Sequence, residues 1–194
     1  GIYLGQMRGT VSAEQVGEYA RGLKERPELA TRTLATEQEV AQIAEELADR
    51  EHFFYLGRGI DFAVCFEGAL KLKEISYIHA EAYAAGEMKH GPLALVSQGM
   101  PVICIATQDH VREKMISNIR EVQARRATVL AVAKEDDHDT HQVADYTIQV
   151  PRAMDPFMPA LAIIPLQIFA YYVAKRLDRD IDQPRNLAKS VTVE

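Results

Sequence analysis

Apolar positions in the first quarter of the chain recur at helical spacing. Val16, Tyr19, Ala20 and Leu23 step by three or four, Pro27 interrupts, and Val40, Ile43, Ala44 and Leu47 resume, so residues 14–48 read as helix broken at Pro27. From residue 52 the pattern changes to short runs that are apolar throughout. The run 52–56 ends in Gly57-Arg58-Gly59, and similar runs follow at 102–106, 128–132 and 146–150. Each predicts a strand buried on both faces. Helical stretches are predicted at 62–79, with Phe66, Ala69, Leu70 and Leu72 toward packing, at 111–125, and at 156–176, where Pro156 falls in the first turn. Strands alternating with helices imply an α/β domain: a three-layer αβα arrangement with a parallel sheet covered on both faces. No internal repeat appears. Residues 178–194 are polar and lack an amphipathic period, so they form a tail that must dock on something or stay loose.

Composition narrows the function classes. In 194 residues, 47% apolar and 26% charged is ordinary globular usage, sized for one α/β domain and an appendage. Twenty-two Lys and Arg against 28 Asp and Glu give a net charge of −6, without the basic surplus that nucleic acid or an anionic membrane requires. The longest apolar stretch, 158–173, contains Pro159, Pro165 and Gln167 and falls short of the ~18–20 residues of a membrane span. The first eight residues do not read as a signal peptide. They read as the end of a helix cut from something longer. Cys65 and Cys104 each stand alone in apolar runs, which offers no metal or disulfide spacing and fits a reducing cytoplasm.

Three places could carry chemistry. Glu67, Lys71 and Glu74 step by four and three, so they share one helix face. That face is either a solvated ion-pair stripe or a site in which Glu74 is a general base beside Lys71. His90 follows Gly86 and precedes Gly91-Pro92 on a polar connection; it is either a bystander or a proton-transfer group. Lys189 is either a surface lysine on the tail or, once desolvated, an amine able to form a Schiff base. Gly57-Arg58-Gly59, opening a helix, could offer N–H groups to an anion or be only a tight turn. The loop 106–109 has no Gly or Ser and ends in Asp109, a poor phosphate cradle. His138 and His141, among Asp136, Asp137 and Asp139, read as a solvated turn, so no metal is expected.

Taken together, Gly57-Arg58-Gly59, the block running from Glu67 through Lys71, Glu74, Lys89 and His90 to Leu95, and the tail 182–194 resemble the glucosamine-6-phosphate synthase family. These enzymes, also called glutamine–fructose-6-phosphate aminotransferases (isomerizing), lie within the wider sugar isomerase (SIS) family. The resemblance runs from about residue 10 to the end. It implies that ammonia from glutamine is passed to fructose 6-phosphate to give glucosamine 6-phosphate, without a cofactor. By motif it implies Glu74 as the base that moves the proton between C1 and C2, and Lys71 as the cation that stabilises the enolamine-like charge. It implies Lys189 as the Schiff-base amine. It implies that His90 assists ring opening in the neighbouring subunit of a homodimer. The expected division is linker helices at 1–50, a SIS domain at 51–177 and an active-site tail at 178–194. Neither a terminal glutaminase cysteine nor the family's Ser/Thr-rich phosphate loop is found, which implies a second SIS subdomain of a larger enzyme that lacks the main phosphate site. The alternatives are a non-catalytic SIS module that binds a sugar phosphate for regulation, or a dimerisation scaffold.

Overall fold

The computed structural model describes residues 1–185. Its elements are α1 (Ile2–Met7), α2 (Ala13–Leu34), α3 (Glu37–Leu47), β1 (His52–Gly57), α4 (Ile60–Ser76), β2 (His79–Ala84), β3 (Pro101–Ala106), α5 (Arg112–Gln123), β4 (Thr128–Lys134), α6 (His138–Val143), β5 (Tyr146–Val150) and α7 (Met158–Arg176), with short 3-10 turns at Ala85–His90, Pro92–Leu95, Asp109–Val111 and Asp155–Phe157. The strands form one parallel sheet of order β2-β1-β3-β4-β5.

Alternation along the strands feeds two cores. Phe53, Tyr55, Ile103, Ile105, Leu130, Val132 and Ile148 face α3, α4 and α7. Phe54, Leu56, Val102, Cys104 and Val129 face Met115, Ile119 and Val122 of α5, together with Ala85, Met88 and Val96 from the β2–β3 connection. The predicted three-layer αβα architecture is therefore present. Residues 155–176 are long and apolar enough, at mean hydropathy 1.7, to cross a membrane. Here α7 packs against α3 and α4 with Leu161, Leu166, Phe169 and Val173 buried, so burial in the core accounts for its composition.

Three local expectations are corrected. First, Pro27 does not break the first helix, because α2 runs through it from a Ser12 capping box to Leu34. Pro27 and Leu23, whose carbonyl loses its N–H partner, both lie at exposed positions where water can substitute. Second, the helix predicted to reach residue 79 stops at Ser76. Tyr77 takes a left-handed φ of +66°, the Ser76 hydroxyl accepts the Ile78 N–H at 3.2 Å, and the chain turns into an unexpected edge strand. In β2, His79, Glu81 and Tyr83 alternate with Ala80, Ala82 and Ala84, and the small Ala80 and Ala82 sit beneath α4. Third, Phe66 and Leu70 point outward, 56% and 38% exposed, while Ala69 and Leu72 pack inward as expected.

Candidate functional site

The carboxyl ends of parallel strands are the usual ligand crevice, most of all where the strand order reverses, here between β1 and β3. In this chain that crevice is filled by its own carboxylate. Gly57 lets the start of α4 come close: a Cβ there would lie 2.6 Å from the Asp61 carbonyl carbon and oxygen. Asp61 is consequently buried, and its two oxygens accept the Thr107 N–H at 2.7 Å and the Thr107 hydroxyl at 2.6 Å. Burial raises the Asp61 pKa against the lowering effect of these bonds. The N–H of Thr107 is thus already taken, and the Gln108 amide is spent on the Thr107 hydroxyl at 3.2 Å.

Beyond the ends of β3, β4 and β5 lies a charge cluster that the sequence reading did not assemble. Lys134, 1% exposed, lies 3.1 Å from Asp109 and 3.2 Å from Asp155. Arg152 donates to Asp136 at 2.7 and 3.1 Å and to Asp109 at 2.8 Å. Asp136, expected on a solvated turn, is thus an ion-pair partner, while Asp137 caps α6 by accepting from Thr140. The only sequence signal was a scatter of acids and bases just past three strands. The Arg152 hydrogen bond is the main cause holding the Asp109 and Asp136 carboxyls below their ordinary pKa. A depressed carboxyl pKa stabilises the fold above the unfolded value of about 4, and that stabilisation is lost as pH falls through the folded values. Replacing both Asp109 and Asp155 with Asn strands a buried ammonium. The expected cost is ~2 kcal/mol, discounted from the range for fully buried pairs because both carboxylates are half exposed, and a lower urea midpoint would show it. Lys134→Met should be close to neutral in the same measurement.

The predicted catalytic face lies at the other end of the sheet. Because α4 carries the chain from the carboxyl end of β1 back to the start of β2, its last turn sits at the amino edge. There Lys71 Nζ is 2.9 Å from Glu74 Oε2 and 3.5 Å from Glu67 Oε1, with Glu74 half-buried. The Glu74 hydrogen bond is the main cause raising the Lys71 pKa, so Lys71 is held as the ammonium. The helix end is also where the chain returns after α7. The Arg185 N–H donates to the Tyr77 hydroxyl at 2.8 Å, and the Arg185 guanidinium lies 4.2 Å from the Tyr77 ring centroid, with that of Arg179 at 5.6 Å. Lys189 itself lies outside the described residues.

His90 ends the 3-10 turn Ala85–His90, whose Ala85 and Met88 belong to the second core. Its side chain is 74% exposed, and its Nε2 lies 3.8 Å from a Glu87 carboxylate oxygen. The fold thus brings Lys71 and Glu74 together over one face of the sheet and puts His90 over the other.

A doubly wound α/β domain with order 2-1-3-4-5 is the class this architecture defines. Residues 46–175 match the SIS domain family, and the chain belongs to that family. It is 50% identical over 193 residues to glutamine–fructose-6-phosphate aminotransferase (isomerizing) of Symbiobacterium thermophilum, covering 100% of this chain and 32% of that protein. It is 48% identical over 182 residues to the protein of the same name from Aquifex aeolicus, covering 94% and 31%. The chain therefore spans about a third of the length of these curated relatives. Among solved structures, the C-terminal domain of glucosamine-fructose-6-phosphate aminotransferase from Francisella tularensis is similar with a TM-score of 0.89 at 37% identity, over 94% of this chain and 51% of that one.

Proposed function

We propose that this chain is the C-terminal SIS subdomain of a longer glutamine–fructose-6-phosphate aminotransferase. In that enzyme, residues 1–50 lead in from the preceding subdomain, 51–177 form the SIS unit and 178–194 complete the active site. The observation that carries the reading is the return of residues 179–185 to Tyr77, three residues past Glu74. Lys189 is four positions beyond Arg185, and a chain spans up to ~3.5 Å per residue, so the amine can reach the Glu74 face.

The reaction then follows from the chemistry of the groups. The neutral Lys189 amine attacks the C2 carbonyl of the open-chain ketose and water leaves, forming an imine. Ammonia then adds to C2 of the protonated imine and the Lys189 amine leaves, so the C2 nitrogen is now that of ammonia. The protonated C=N acidifies the C1 proton, which Glu74 removes and returns at C2. Lys71, 2.9 Å from that carboxylate, offsets negative charge that develops on the substrate. His90 transfers protons during ring opening. Within one chain it lies across the sheet from Glu74, so a second copy supplies it and the enzyme is a homodimer. The outward apolar side chains Ile60, Phe66 and Leu70 on α4 fit such a chain, one that faces further protein. The two buried free cysteines fit the reducing cytoplasm we assign to it.

Fructose 6-phosphate needs an anion site that Asp61 fills here. Titration calorimetry of the 194-residue chain with fructose 6-phosphate is therefore expected to show weak or no binding. Tight, stoichiometric binding would overturn this reading in favour of a sugar-phosphate-sensing module.

A further inference from the structure

The turn that carries His90 belongs to neither a helix of regular length nor the sheet, yet it is anchored at several points. Ala85 and Met88, each 1% exposed, insert into the second core. Gly86 lies against the Arg58 guanidinium; a Cβ there would be 3.4 Å from Nη2. Arg58 Nε donates to Asn118 Oδ1 at 2.9 Å, and the Asn118 Nδ2 donates to Glu121 Oε2 at 3.1 Å. The other Glu121 oxygen lies 2.8 Å from Nζ of Lys89, the residue before His90. An unbroken polar chain thus runs from the Gly57-Arg58-Gly59 turn through buried Asn118 to the backbone that projects the imidazole. The pull of Lys89 on the Glu121 carboxyl, which lowers its pKa, agrees with an ion pair in that position.

We propose that Asn118, Glu121 and Lys89 are positioning residues that aim His90 out of its own subunit. The proposal rests on the ring-opening role given to His90 above. Glu121 is 23% exposed but its partner Lys89 is 63% exposed. An ion pair open to solvent on one side contributes little to stability, which leaves orientation of the turn as the larger effect of this pair. A group lent to another subunit gets no orientation from the site it serves until the subunits meet. Its geometry has to be set by its own chain, and a misplacement of about 1 Å can cost ~100-fold in rate.

The test uses the full-length aminotransferase with two substrates: fructose 6-phosphate, which must open its ring, and 5-deoxyfructose 6-phosphate, which lacks the hydroxyl that closes it. Lys89→Met and Asn118→Leu should each lower kcat roughly tenfold on the ring-forming sugar and leave the acyclic one unchanged, with Lys89→Arg restoring the rate. The Lys89→Met thermal midpoint should match that of the parent. His90→Asn serves as the reference and should show the same selectivity more strongly. If His90→Asn is selective while Lys89→Met and Asn118→Leu match the parent or slow both substrates equally, the positioning proposal is overturned and the role of His90 stands. If His90→Asn slows both substrates alike, the ring-opening role itself fails, and the proposal with it.

Discussion

Replacing Glu74 with glutamine in the full-length aminotransferase is expected to cut proton exchange between C1 and C2 of fructose 6-phosphate by 10²- to 10⁴-fold, roughly the contribution of a positioned general base. The amide keeps the shape of the side chain and can still accept from Lys71 Nζ, now 2.9 Å from Glu74 Oε2, so packing and binding should change little. What it lacks is a proton-accepting carboxylate. Imine formation does not use this group and should persist, so borohydride should still trap a covalent adduct. Exchange of deuterium from solvent into the sugar, followed by NMR, reads the first effect; mass spectrometry after reduction reads the second. Unchanged exchange would exclude Glu74 as the base.

The second large effect is expected at Lys189. Lys189→Arg preserves the positive charge but replaces a nucleophilic amine with a guanidinium that does not deprotonate near neutral pH. The reduced adduct should disappear and turnover should fall by at least about a thousandfold, since the remaining groups cannot form the covalent intermediate. An adduct that survives in Lys189→Arg would put the imine on another amine. Lys71 would then be the alternative, because it lies on the same face as Glu74. Together the two variants separate the steps: one forms the imine without moving the proton, and the other never forms it.

Most of the architecture was legible because buried parallel strands leave a strong local mark. The runs 102–106 and 128–132 are apolar on both sides, as expected where both faces of a sheet are covered. The run 146–150, the edge strand, is buried at Ile148 and Val150 but exposes Gln149. Each became a strand at nearly those residues. β2 was not legible. As an edge strand close beneath α4 it uses alanine where central strands use Val or Ile, and alanine reads locally as helix. The orientation of Phe66 and Leu70 was also missed. α4 carries apolar residues on more than one side of its charged face, so periodicity alone could not say which apolar side faced the sheet.

The sequence by itself determined which groups are available: a carboxylate and an ammonium one helical turn apart, an imidazole on a glycine-flanked connection, and an amine near the end of the chain. Those are local facts, set by covalent order and helical geometry. Only the tertiary structure decided which groups meet. The parallel β1–α4–β2 crossover sends Glu74 to the amino edge and over one face of the sheet, while the β2–β3 connection covers the other face with His90. The tertiary structure also seats Asp61 on Thr107 and turns scattered charges beyond three strands into the Lys134–Arg152 cluster. Such contacts join residues tens of positions apart, and their partners follow from strand order, which no local pattern encodes.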